Sequence, residues 1–168
     1  MSDEPNEVER YRPEGEYAQR HYAAIGQVAT EWAEFEFILD TRTLRLGSFD
    51  TKRGLCLSLQ IAGPGRKLNA YMSIAQLRGV GETTIKNLHR FQERTLALAE
   101  KRNRVVHDQW MIFPSGSTHR FGATAHKRLV VEYKDHPTEF VEKLMIEIRR
   151  LIVRFEELDE EVWSEIST

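Results

Sequence analysis

From Tyr17 onward the apolar positions recur at alternating spacings of four and three: Tyr17, His21, Ile25, Val28, Trp32, Phe35 and Leu39. That period predicts one amphipathic helix over 17–46, with Gly47 as its stop. Thr51 is placed to cap a second segment, TKRGLCLSLQIAG, whose apolar density predicts a buried helix ending near Gly63. Pro64 and Gly65 punctuate the chain, and GRKLNAYMSIAQLRG reads as a third helix stopped at Gly79. A fourth helix is predicted from about Glu82 to His107, with Ile85, Leu88, Gln92, Thr95, Ala99, Arg102 and Val106 on one stripe. Thr95 and Ala99 are small enough to let a neighbouring helix approach closely, and Arg102 puts a cation beside an otherwise inward-facing line.

After His107 the period shortens. QWMIF, the polar turn PSGST and, after a looser segment, RLVVEY predict a two-stranded antiparallel ribbon over about 109–134. Pro137 then opens a last helix with the stripe Val141, Leu144, Ile148, Leu151, Phe155, Leu158 and Val162, a seam suited to antiparallel packing in a bundle or across a dimer. The fold class that follows is mainly α: an up-and-down helical bundle of four to five helices with a small β-hairpin inserted before the last helix. Residues 15–168 form a single domain in this reading, and the proline-containing, acidic residues 1–14 form a flexible tail.

Composition narrows the class without changing it. The 168 residues are 40% hydrophobic and 30% charged, which excludes wholesale disorder. No apolar run approaches the roughly 18 residues of a membrane span, and MSDEPNEVERYRPEGE has neither a basic stretch nor an apolar one, so a cytoplasmic protein with no membrane partner is expected. Cys56 is the sole cysteine; it excludes an internal disulfide framework and, lying in an apolar run, is expected to be a buried, inert thiol. The net charge of -2 conceals a segregation: six acids in 1–16 and six more in 156–168 leave 22 Lys and Arg against 14 Asp and Glu over 17–155. Arg outnumbers Lys by 17 to 7, and guanidinium suits planar, bidentate contact with phosphate.

Phosphate loops, dinucleotide fingerprints, zinc-helix and calcium-loop spacings are absent, and no two histidines sit one helical turn apart, so neither a metal nor a cofactor is expected. The segment LALAEKRNRVVHDQW, residues 96–110, contains Arg102, Asn103 and His107 in the pattern R-N-x-x-x-H. Asn103 and His107 share a helix face, while Arg102 lies about 140° round from His107 unless the last turn loosens and lets the two converge. Arg120 and His126 repeat the bare spacing, but with Phe121 in second place and on the ribbon.

The placement of Arg102, Asn103 and His107 at the end of a long helix resembles the signature of the HEPN superfamily, all-helical domains in which an Arg, a following polar residue and a nearby His close a helix. The resemblance implies a metal-independent endoribonuclease of toxin or defence type, acting as a homodimer with two such motifs facing each other, and an antitoxin or nucleotidyltransferase as partner. The alternative is a non-catalytic module of the same fold that binds a nucleotide, RNA or a protein. In the first case the catalytic residues are Arg102, Asn103 and His107. A histidine, which ordinarily titrates near about pH 6.5, takes the ribose 2′-OH proton or protonates the leaving 5′-oxygen. Arg102 holds the phosphate, and Asn103 orients the imidazole or donates to phosphate. The product is a 2′,3′-cyclic phosphate. Lys101, Arg104, Arg94 and Arg90 are the candidates for holding the RNA backbone.

The remaining signals read as packing. Trp32, Phe35 and Phe37 are expected in the core, and Trp110 is expected to anchor the ribbon to the bundle. Glu31 and Glu34 are candidates to face Arg102, although solvated helix-face acids are commoner, and Arg66 and Lys67 are a possible anion contact or simply exposed charges.

Overall fold

The computed structural model describes residues 15–113, 115–124 and 129–166. The acidic segment 1–14 and His126 lie outside the described residues. Among the described residues five helices, α1 (Glu16–Leu46), α2 (Thr51–Ser58), α3 (Pro64–Leu77), α4 (Glu82–His107) and α5 (Thr138–Ile166), are accompanied by three strands between α4 and α5: β1 (Gln109–Ile112), β2 (Thr118–Thr124) and β3 (Val130–Asp135). The helices alternate in direction. Asp40 meets Ser58 and Leu44 meets Gly54, so α2 runs back along α1. Gln92 reaches Asn69, so α4 runs back along α3. The pairs Arg20–Glu142, Glu31–Arg149 and Arg42–Asp159 show α1 and α5 running parallel. No described helix is long and apolar enough to cross a membrane.

The core is an aromatic knot to which four helices each contribute one ring. Phe155 of α5 lies 5.3 Å from Tyr71 of α3, 5.6 Å from Phe91 of α4 and 6.2 Å from Phe35 of α1, centroid to centroid. Around it pack Val28, Leu39, Leu68, Leu88, Leu144 and Ile148, all fully buried. The α5 stripe is buried at every predicted position. On α4 the buried line is rotated slightly from the expected one: Phe91, Leu98 and Val105 point inward, leaving Gln92, Ala99 and Val106 at its edge. Two buried polar contacts cross the bundle, Tyr71 donating to Asp159 at 2.7 Å and Lys67 to Asp40 at 2.6 Å.

Several details depart from the sequence reading. Asp50, not Thr51, caps α2 by accepting from the Arg53 amide at 3.1 Å. The helix ends at Ser58, not near Gly63, and buries only Gly54 and Ser58. It is held against α1 where Gly54 leaves room for Leu44, and a short helix edge-on to one neighbour cannot bury all its sides. Cys56 is therefore exposed, not buried. Phe37 is 64% exposed because it sits on the outer face of α1, about 200° from Phe35 by helical phase. Tyr17 is 62% exposed, with the Gly116 turn beside its ring. Lys67 is drawn inside by Asp40, and Glu31 pairs with Arg149 at 2.5 Å instead of facing Arg102.

The ribbon has three strands, in the order β1-β2-β3, all antiparallel. The extra strand is the segment that looked loose in sequence. Its alternation turns Thr118, Arg120 and Gly122 toward the bundle and His119, Phe121 and Ala123 outward, a pattern hidden by the polar and glycine residues on the inner side. Trp110 anchors the sheet as expected: its Nε1 donates to the Val105 carbonyl at 2.8 Å, and its ring meets buried His21 edge-on at 4.4 Å. His21 Nδ1 lies 3.0 Å from Thr138 Oγ1, and His136 stacks on Phe140 at 4.3 Å.

Two outcomes follow for stability. Phe155→Ala is expected to cost about 3–5 kcal/mol in urea denaturation, by loss of the ring and the cavity it leaves, whereas Phe37→Ala stays within about 0.5 kcal/mol. Burial holds the His21 imidazole below its ordinary pKa, and burial followed by Arg120 and Lys134 does the same for His136. Both protonate more readily in the unfolded chain, so their contribution is complete above about pH 6.5 and is lost as pH falls through the lowered values. The melting temperature should decline below that pH, and His21→Gln should flatten part of the decline.

Candidate functional site at the end of helix α4

Helix α4 stays regular to its last residue, with the Asp108 amide donating to the Arg104 carbonyl at 3.1 Å, and Asp108 then turns to extended geometry and leads directly into β1. This regularity settles which side chains can meet. A helix that did loosen could swing Arg102 toward His107; this one holds them on different sides. Arg102 is half-buried on the inward line, its guanidinium 6.0 Å from the Trp32 ring of α1. Its Nη1 donates to Asn103 Oδ1 at 3.0 Å.

Asn103, Arg104, His107 and Asp108 line an open groove of about 610 Å³ on one flank of α4, with Glu100 and an apolar shelf made by Leu96, Ala99 and Pro64. Arg102 is not among the lining residues. The cation that shares the groove with His107 is Arg104, which reaches Glu100 at 3.9 Å and Asp108 at 4.0 Å, pairs long enough to leave it available to an anion. Lys101 and Arg94 point to the opposite flank, toward α5, where Lys101 pairs with Glu147 at 3.1 Å. Arg90 is exposed, donating to Asn87 Oδ1 at 3.5 Å, and lies one turn before Arg94 on that same side. The predicted set is thus divided: Asn103, Arg104 and His107 come together, Arg102 touches Asn103 from the inner side, and Lys101, Arg94 and Arg90 are elsewhere.

The groove is tied to the sheet by a charge chain absent from the sequence reading. Asp108 Oδ2 is buried, 3.6 Å from Nη1 of Arg120, and Arg120, itself 6% exposed, donates to Glu132 at 2.8 Å. Lys134 on β3 pairs with the same carboxylate, and Lys134 first, with Arg120 next among the cations, holds Glu132 below the usual carboxylate range. Gly122 makes the arrangement possible. A Cβ there would lie 2.6 Å from Asp108 Oδ2. The signal available in sequence was the four-residue spacing of Arg104 and Asp108 together with the two-residue spacing of Arg120 and Gly122, each too common to single out alone.

Among the described residues no three of His, Cys, Asp and Glu gather in a way that could hold a metal ion. Comparison with protein-family models, curated proteins and solved structures gives no match to this chain.

Gly122→Ala is expected to push the Asp108 carboxylate off Arg120 and lower stability by about 1–3 kcal/mol, the cost of disrupting a buried, charge-assisted contact. Amide exchange should quicken at β1 and the last turn of α4 while the α5 core stays protected.

Proposed function

We propose that the protein is a metal-independent endoribonuclease that works in the groove at the end of α4. The supporting observation is that a histidine, an arginine and an amide side chain, His107, Arg104 and Asn103, line one solvent-open groove beside an apolar shelf. Ribose and phosphate meet the polar end, and a base lies against Leu96 and Ala99. His107 takes the 2′-OH proton, or delivers one to the 5′-oxygen; the 2′-oxygen attacks phosphorus, the P–O5′ bond breaks, and the products are a 2′,3′-cyclic phosphate and a 5′-hydroxyl. Arg104 balances the charge that grows on the phosphoryl oxygens. Arg102 acts through Asn103, as a positioning residue. A second protomer facing this groove would supply another His107, so that one histidine serves as base and the other as acid, in line with the homodimer that the family resemblance implies.

One observation favours the second reading, a non-catalytic RNA-binding module: Arg102 is held beside Trp32, on the inner side of α4. The two separate in one assay. Single-stranded RNA incubated with the protein in EDTA is expected to yield cyclic-phosphate ends, with His107→Ala and Arg104→Ala each lowering the rate at least about 100-fold, as loss of an acid–base group or a transition-state donor does. Arg102→Ala should lower it less. RNA that is retained but uncut by the unaltered protein would establish the binding module, and cutting that survives His107→Ala would overturn the catalytic assignment.

A further inference from the structure

On the flank of α4 opposite His107, α4 and α5 enclose a second groove of about 350 Å³. Its floor is apolar, formed by Phe91, Ala97, Leu98 and Leu151, and its rims carry Arg94 and Lys101 from α4 and Arg150 and Arg154 from α5, against one acid, Glu147. The ion pairs around it are uneven. Lys101 is engaged by Glu147 at 3.1 Å, and Arg154 by Glu157 at 2.7 Å and Glu161 at 3.4 Å. Arg94 and Arg150, one on each helix, have no ion pair among the described residues.

We infer that this groove binds an amphipathic organic anion, an aryl or acyl body carrying a carboxylate, sulfonate or phosphate head. Concave sites between bundle helices that are mostly apolar, with a few converging polar groups, are the usual form of small-molecule pockets, and this one has the volume for it. The floor removes an apolar body from water, while the two unpaired guanidiniums, fixed to separate helices, offer planar forks to one anionic head. Bare phosphodiester is the poorer occupant because it would leave the apolar floor uncovered. The site shares no lining residue with the His107 groove, so it stands whether or not the ribonuclease reading does.

The test uses anilinonaphthalene sulfonate, its neutral counterpart phenylnaphthylamine, inorganic sulfate and a ribodinucleotide, each titrated into the full-length protein by fluorescence or calorimetry. The aryl sulfonate is expected to bind at one site, at least tenfold more tightly than the neutral aryl compound, sulfate or the dinucleotide. The double substitution of Arg94→Ala with Arg150→Ala should weaken it at least tenfold; both side chains are exposed, so the melting temperature should hold. Ala97→Trp, which fills the groove from its exposed floor, should abolish binding by a separate route. Equal binding of the neutral compound, tighter binding of the dinucleotide, absence of aryl sulfonate binding, or binding indifferent to both variants would each overturn the assignment.

Discussion

Everything in this fold is referred to one contact, the ring of Phe155 against the rings of Phe35, Tyr71 and Phe91. Aromatic side chains bury more area than any others and pack with directional edge and face preferences, so a four-ring cluster fixes rotation as well as distance between helices. Rotation is the quantity that matters here. With Phe91 turned to the centre, Leu98, Arg102 and Val105 follow on the same side of α4, Asn103 and His107 fall on one flank, and Arg94 and Lys101 on the other. The two grooves are consequences of that single setting.

The second constraint is the attachment of the sheet. A three-stranded sheet of this size has little stability of its own, and it borrows stability from the bundle through Trp110 on His21 and through the chain Asp108–Arg120–Glu132. In return it holds the end of α4. Asp108 follows His107 directly, so the position of the imidazole depends on a carboxylate pinned beneath β2, where only a glycine leaves space. A helix end that would otherwise fray is thereby kept helical to its last residue. The same rigidity is what keeps Arg102 from joining His107.

Helix content was legible along the chain because helical periodicity is a local property, repeated over many turns: the extents of α1 and α4 follow from spacing and glycine stops to within a residue, and the whole buried stripe of α5 from spacing. Short or half-covered elements were less legible. The apolar residues of α2 suggested burial, yet Cys56 and Leu57 face water, since nothing in eight residues reveals whether a second neighbour will cover them. Strand β2 was hidden for the opposite reason. Its inward positions are Thr118, Arg120 and Gly122, which serve a charge chain and a close approach instead of an apolar core.

By itself the sequence determined a mainly helical bundle with a β-ribbon before the last helix, and it offered a basic segment ending in His107 as a candidate site. Only the tertiary structure decided which cation shares a groove with that histidine, and that Arg94 and Lys101 belong with Arg150 and Arg154 on another face. The physical reason is that a helix presents its side chains in all directions, so residues adjacent in sequence are not adjacent in space across it. Which of them meet is set by the angle at which distant rings lock the helix into the core.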